Sequence, residues 1–303
     1  MDYKTYEPIS DLKPLVKLYW TLEVPAEMSG QKQRILPDGC IDMVFILGDD
    51  IKRYTSDGSF VIQPRAMVLG QITEPFFVEP TGYVNSFAVC FYPYGFANFV
   101  SAPIKDLANQ ETPLAVLLGE ATAGILERQI VQAADTKARI KIIESFLLEK
   151  LSSQTSIDDI VKTTIDTMFS NKGKTSVKNN ASKRRQLERK FASQVGISPK
   201  QLGKVIRLQA ALKIMLGSQP ENLSRVAYES EYYVQAHFTR DFKKLTGTTP
   251  QEFFEDEEMA LSSLLYKWVC RIFTIPTRKK LCKILQEIKV IKEMILVWQK
   301  LKV

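Results

Sequence analysis

The chain has 303 residues, 45% of them hydrophobic, which is enough apolar material for packed cores and excludes global disorder. Its four cysteines, Cys40, Cys90, Cys270 and Cys282, lie far apart with no CxxC, so neither a zinc knuckle nor a disulfide framework is indicated, and they read as thiols of a reducing cytosol. The formal net charge is +7, and Met1-Asp2-Tyr3-Lys4 opens no basic-then-apolar leader. No apolar run nears the roughly 20 residues that span a bilayer, so the expectation is a cytoplasmic protein with no membrane partner.

Charge is unevenly shared. Residues 1–150 hold 14 Lys or Arg against 19 Asp or Glu, a net of −5, whereas residues 151–303 hold 27 against 15, a net of +12. Within 171–213 there are 12 basic residues and one acid, Glu188. A solvated helix face usually mixes signs, so this segment reads as a surface for a polyanion.

From Tyr6 to Val100 short apolar runs alternate with turn signals. Asp38-Gly39 separates Arg34-Ile35-Leu36 from Cys40-Ile41-Asp42-Met43-Val44-Phe45. Asp57-Gly58 precedes Phe60-Val61-Ile62, and Gly82 precedes Tyr83-Val84 and Phe87-Ala88-Val89-Cys90-Phe91. Strands at this spacing predict an antiparallel barrel or sandwich. Helical patterning follows from Ala115 to Ser152, marked by Leu126, Ile130, Val131, Ile140, Ile143, Phe146 and Leu147. Ile157 to Phe169 reads as one amphipathic helix, and Asn171 to Asn180 as a basic loop or short helix. Helices resume at Ser182, and Pro199 to Gly217 reads as a long connecting helix.

Around that helix one short module occurs twice. Arg189-Lys190-Phe191 leads through four residues to Gly196-Ile197-Ser198-Pro199, and Arg240-Asp241-Phe242 leads through four residues to Gly247-Thr248-Thr249-Pro250. Leu187 answers Phe238, and Leu202 answers Phe253. Each copy reads as a basic helix closed by a glycine, with Ser or Thr capping the next helix and Pro in its first position.

In the first copy Leu187, Phe191 and Val195 predict the anchored side. Arg185, Glu188 and Arg189 share another face, where Arg can donate a bidentate pair to guanine and Glu can accept from cytosine. Lys183, Arg184 and Lys190 flank that face as phosphate contacts. The plain alternative is that Arg184 and Glu188 pair on a solvated helix. In the second copy Asn222 is expected to cap a short helix Leu223–Ser230, with the next helix running from Val234 to Leu245. Phe238, Phe242 and Leu245 mark its buried side. Gln235, Ala236, Thr239 and Arg240 form the base-reading side, with Lys243 and Lys244 for phosphates. His237, the chain's one histidine, reads as a packing or phosphate-contact residue and offers no metal site.

Lys183-Arg184-Arg185-Gln186-Leu187-Glu188-Arg189-Lys190-Phe191 with Val195-Gly196-Ile197-Ser198-Pro199 resembles the first half of the AraC/XylS-type transcription-regulator domain. Gln235-Ala236-His237-Phe238-Thr239-Arg240-Asp241-Phe242-Lys243 with Thr246-Gly247-Thr248-Thr249-Pro250 resembles its second half. The resemblance covers about residues 155–256. It implies two helix–turn–helix units joined by a long helix, and carries base reading onto Arg185, Glu188, Arg189, Gln235, Ala236, Thr239 and Arg240. There are two departures. Glu231 stands where the family commonly has glycine, and the first scaffold helix, expected between Thr175 and Ala181, is poor in apolar residues. Leu36-Pro37-Asp38-Gly39-Cys40-Ile41-Asp42 and Phe91-Tyr92-Pro93-Tyr94-Gly95 resemble a β-rich domain found ahead of some such regulators.

The tail after Glu258 carries Leu281, Ile284, Ile288, Ile291, Ile295 and Trp298 at alternating threes and fours, a seam of under three heptads among lysines. Packing on the chain's own body, pairing with a second chain and lying on a membrane surface remain open for it.

The expected architecture is therefore α+β with two domains and a tail. Residues 1–152 form a β-rich barrel or sandwich with trailing helices, for sensing or oligomerisation. Residues 153–257 form an all-α double helix–turn–helix domain, and residues 258–303 a basic amphipathic tail. The expected function is a sequence-specific DNA-binding transcription regulator, not an enzyme, without cofactor or metal. Double-stranded DNA is its partner, and a small-molecule effector, RNA polymerase and a second copy are further candidates. The alternatives are an architectural protein binding nucleic acid without sequence choice, and a DNA-repair transferase using Cys40 as nucleophile.

Overall fold

The computed structural model describes residues 1–28, 30–151, 158–173, 181–217 and 222–255. In chain order its strands are β1 (Asp2–Tyr6), β2 (Val16–Val24), β3 (Gln33–Ile35), β4 (Ile41–Ile46), β5 (Ile51–Tyr54), β6 (Phe60–Ile62), β7 (Ala66–Leu69), β8 (Phe76–Pro80), β9 (Val84–Phe91) and β10 (Glu111–Pro113). One sheet runs β1-β2-β9-β4-β7-β10 and the other β3-β8-β5-β6. All of the paired strands are antiparallel.

The period of two decides what each face meets. On β4, Met43 and Phe45 join Tyr19, Val68, Phe87, Val89 and Phe91 in the main core. Val44 and Ile46 turn the other way, packing with Met67, Ala88, Trp20 and, from the second sheet, Ile51. The sheets are tied further by Arg53, which ion-pairs with Glu111 at 3.0 Å.

The helices are α1 (Leu114–Leu118), α2 (Glu120–Gln132), α3 (Thr136–Lys150), α4 (Asp159–Ser170), α5 (Ala181–Gln194), α6 (Pro199–Gly217), α7 (Leu223–Glu229), α8 (Gln235–Thr246) and α9 (Pro250–Glu255). Asp135 caps α3 by accepting from the Ala138 N–H at 2.8 Å. Tyr19 Oη on β2 donates to Glu144 Oε1 on α3 at 3.2 Å, locking helix to sheet.

The α+β expectation holds, with three refinements. Val84 and Phe87–Phe91 belong to a single strand that starts just after Tyr83, because Asn85 and Ser86 pair across to Glu23 and Leu22 mid-sheet and do not break the ladder. Helix α4 begins at Asp159 and not at Ile157, because Asp158 is its cap. Asn171–Gly173 is a turn, whereas the scaffold segment of the first unit and the tail lie outside the described residues.

The main core does not stop where the sheets end. Ile104 and Leu107, from a single 3-10 turn, share it with Leu187, Phe191, Val195, Ile197, Leu202 and Ile206 of the first helical unit. The second unit has its own core of Val205, Leu208, Leu212, Met215, Val226, Phe238, Phe242, Leu245 and Phe253, into which Leu36 is inserted from the β-rich part. Among the described residues no helix is long and apolar enough to cross a membrane, and no His, Cys, Asp and Glu group could hold a metal.

Candidate nucleic-acid interface

Helix α5 buries Leu187 and Phe191, and Val195 follows them into the core. Lys183, Arg184, Arg185, Glu188 and Arg189 are exposed on the remaining surface. Arg184 Nε donates to Glu188 Oε1 at 3.1 Å, the i,i+4 pair of the plain alternative. Both groups stay solvent-facing, so the pair is worth a few tenths of a kcal/mol, about 0.3–0.5, and yields readily to a stronger partner. Lys190 differs. It is half-buried and ion-paired with Asp158, the carboxylate that also caps α4 through the N–H groups of Ile160 and Val161. Burial pushes the Asp158 carboxyl up, but Lys190 and those N–H groups outweigh it and hold it below the usual range.

The turn after α5 is set by Gly196, whose φ of +90° is left-handed backbone and whose N–H reaches the Phe191 carbonyl at 2.9 Å. Ser198 then caps α6 in a reciprocal box. Gln201 N–H donates to Ser198 Oγ at 3.2 Å, and Ser198 N–H donates to Gln201 Oε1 at 3.0 Å. The second unit repeats this construction. Gly247 has φ +84°, Glu252 N–H donates to Thr249 Oγ1 at 3.2 Å, and Thr249 N–H donates to Glu252 Oε2 at 2.7 Å.

Helix α7 is capped by Asn222, which accepts from the Arg225 N–H at 2.8 Å. It ends with Glu231 at φ +64°, the Tyr232 N–H bonded back to the Ala227 carbonyl at 2.9 Å. Helix α8 buries Phe238, Phe242 and Leu245 and exposes Gln235, Ala236, Arg240, Lys243 and Lys244, with Thr239 half-buried. Ser224 Oγ donates to Gln235 Oε1 at 2.8 Å, fixing the start of α8 against α7. Asp241 points inward to Lys204 of α6 at 2.7 Å, pinning α8 to the connecting helix. His237 is exposed and takes no part in the core.

The sequence-predicted residues thus divide by environment. Arg185, Glu188 and Arg189 on α5, and Gln235, Ala236 and Arg240 on α8, stand on exposed surfaces opposite the buried anchors, with Thr239 at the edge. Lys183, Arg184, Lys243 and Lys244 are exposed cations beside them, whereas Lys190 is engaged inside the fold. Sequence reasoning missed Asp158, Lys204, Gln201 and Glu252. The two boxes were readable, since Ser198-x-x-Gln201 and Thr249-x-x-Glu252 recur at the same spacing. Asp158 and Lys204 carry no local signal. Also missed were Tyr228 and Tyr233, 80% and 89% exposed, the latter in the turn just ahead of α8.

The β-rich part grips both units. An added Cβ at Gly196 would lie 2.8 Å from the Ile104 carbonyl oxygen. Gln209 Nε2 on α6 donates to the Pro37 carbonyl at 2.6 Å, and Arg34 Nη1 donates to Thr248 Oγ1 at 3.1 Å.

Residues 179–256 match the family model described as "Helix-turn-helix domain", and residues 4–113 match "Domain of unknown function (DUF6597)". No curated protein matches the chain. Among solved structures, ToxT from Vibrio cholerae is similar at 11% identity and a TM-score of 0.41, covering 84% of this chain and 98% of that one. ToxT bound to (E)-4-(8-methylnaphthalen-1-yl)but-3-enoic acid is similar at 12% identity and 0.41, covering 84% and 99%. Unsaturated-fatty-acid-bound wild-type ToxT is similar at 14% identity and 0.37, covering 77% and 92%.

Proposed function

We propose that residues 179–256, which match a helix–turn–helix family model, are the AraC-type DNA-binding part of a transcription regulator, and that α5 and α8 read two successive major grooves of one duplex. The observation that carries this is the duplicated geometry. Two helices of one chain, each anchored by apolar residues at matching positions and closed by a left-handed glycine, expose Arg185, Glu188 and Arg189 in one case and Gln235, Ala236 and Arg240 in the other. Arginine paired to guanine and glutamine paired to adenine suit that display, and the neighbouring lysines supply affinity without sequence choice.

The protein acts as a regulator without catalytic activity, and its β-rich part transmits a signal, such as a bound small molecule, to the reading units. The attachments at Pro37, Thr248 and Ile104 are the route, because each joins the β-rich part to an element of the reading domain.

Selection of bound duplexes from a random pool tests the reading. Two short blocks about one helical turn apart are expected, roughly 10 base pairs centre to centre. Arg189→Ala should relax one block and Arg240→Ala the other, each by about 1–3 kcal/mol of discrimination. Wild-type selectivity in both variants would remove the assigned faces.

A further inference from the structure

The β-rich part holds a cluster that DNA reading does not use. Cys40 and Cys90 are both free and buried, 5% exposed each, and share one apolar cluster with Leu18 and the flank of Trp20. Their side chains pack in that one cluster, and Lys17 Nζ donates to Cys40 Sγ at 3.4 Å. Lys17 and Trp20, which flank the pair, are partly exposed, so that is the side from which a small oxidant has to enter.

We propose that Cys40 and Cys90 are a peroxide-oxidisable dithiol whose closure to a disulfide draws the loop 36–40 away from helix α6. The register of β4 and β9 sets Asp42 opposite Cys90, so Cys40 is one diagonal step away on the same sheet face. Diagonal positions sit about 7–8 Å apart, at or beyond the roughly 7 Å span a disulfide bridges without backbone movement. The sulfurs can touch, but a bond between them requires one backbone to shift. Cys90 is inside the central strand β9, whereas Cys40 precedes β4 and is held at its N–H by the Asp38 carboxylate at 2.9 Å. Cys40 is therefore the partner that moves.

That movement reaches α6 through the three residues before it. Leu36 is packed in the second unit's core, Pro37 accepts from Gln209, and Gly39 lies against Leu202 and Val205. A pull on Cys40 toward β9 loads all three attachments.

The roles follow from the surroundings. Cys90 is held well above the usual thiol range by its hydrogen bond to Cys40 and by burial, so it keeps its proton and serves as the resolving thiol. Cys40 is the attacking sulfur, with the Lys17 ammonium beside the charge it must carry. The Cys40 thiolate attacks the terminal oxygen of a hydroperoxide, the O–O bond breaks, and the departing alkoxide or hydroxide is protonated. The sulfenic acid left on Cys40 is attacked by the Cys90 sulfur, forming the S–S bond and releasing hydroxide, which leaves as water with the Cys90 proton. Two thiols lose two electrons and two protons, and the hydroperoxide is reduced to alcohol (or water) plus water.

The test uses the full chain and hydrogen peroxide, with non-reducing peptide mapping and amide hydrogen exchange. A Cys40–Cys90 peptide is expected, reversed by dithiothreitol, and Cys90→Ser should stop at a Cys40 sulfenic acid trapped by dimedone. In the oxidised protein the amides of α6 around Gln209 should exchange about tenfold faster, as loss of a buried hydrogen bond implies. Exchange in peroxide-treated Cys40→Ser should stay at the reduced level. Oxidation confined to Cys270 and Cys282 would overturn the site, and a Cys40–Cys90 disulfide with unchanged α6 exchange would overturn the coupling. Neither readout involves DNA, so both stand apart from the assignment of reading faces.

Discussion

Gln209, in the middle of the connecting helix, donates its side-chain amide to the backbone carbonyl of Pro37 at 2.6 Å, and the bond is buried. The two residues are 172 positions apart, so this one bond joins the β-rich part to the helix that connects the two helical units. Gln209→Leu keeps the bulk but strands the carbonyl, which costs roughly 1–3 kcal/mol. Denaturant unfolding should show that loss, and a shift under 0.5 kcal/mol would mean that Pro37 readily finds another donor.

The two turn glycines give a paired test. Both have left-handed φ, +90° at Gly196 and +84° at Gly247, so alanine at either should lose about 1–2 kcal/mol to backbone strain. They differ in their surroundings. At Gly196 the new methyl group meets the Ile104 carbonyl oxygen at 2.8 Å, whereas at Gly247 the nearest atom is Pro75 Cγ at an ordinary 3.5 Å. Gly196→Ala is thus expected to cost about 1–3 kcal/mol more than Gly247→Ala, since backbone on both sides cannot yield. Equal melting-temperature shifts would show that Ile104 relaxes freely.

What could be read from the sequence follows these lines. Helix α6 is legible because Val205, Leu208, Leu212 and Met215 keep one helical stripe over 19 residues between a Pro start and a Gly end. The exposed faces of α5 and α8 are legible from the apolar anchors opposite them. Strand β2 is not, because a bulge between Val16 and Leu18 breaks the period of two at Lys17. β1 is Asp-Tyr-Lys-Thr-Tyr at the sheet's edge, largely exposed, and offers no apolar pattern at all. The attachments of the β-rich part to the two helical units are invisible for a different reason. They join residues about ninety to more than two hundred positions apart through isolated polar groups and single side chains, where no local spacing rule operates.

Glu231 occupies the residue after the α7 cap, where the chain closes with Glu231 N–H to the Tyr228 carbonyl at 3.0 Å and Tyr232 N–H to the Ala227 carbonyl at 2.9 Å. This motif normally takes glycine, and glutamate adopts φ +64° there against its own Cβ. Glu231→Gly should therefore stabilise the fold by about 0.5–1 kcal/mol, after allowing for the extra freedom of the unfolded chain. A destabilised variant in thermal unfolding would mean that the Glu231 side chain contributes more than the strain it carries.

The lysines of α5 can be separated by salt. Lys183 is exposed, so Lys183→Ala should weaken duplex binding evenly across sequences and reduce the slope of log affinity against log salt by about 1. Lys190 is already neutralised by Asp158. Its alanine variant should leave the salt slope near wild type and lower stability instead, chiefly above about pH 4, where Asp158 is ionised in both states. As the folded Asp158 lies below its ordinary value, the stability it contributes is lost as pH falls through that folded value. If the two variants changed the slope equally, Lys190 would have to leave Asp158 when DNA binds.

Asp42 gives the clearest pH signature. Its carboxyl is pushed up to about 7, first by burial and then by the charge of Asp38, against an ordinary value of 3.8, and its Oδ1 has no hydrogen-bond partner. The sign is the reverse of a salt-bridged acid. The folded state holds the proton to higher pH than the unfolded state, so unfolding releases a proton between 3.8 and about 7, and stability falls as pH rises through that window. The fall is at most ~1.4 kcal/mol per pH unit and ends once the folded carboxyl has ionised. Asp42→Asn removes the titration while keeping the shape, so its stability should be flat where wild type declines, and it should exceed wild type at pH 8. Parallel unfolding curves for the two proteins at pH 5 and pH 8 would show that Asp42 is already charged in the folded chain and that the neighbouring Lys17 compensates it.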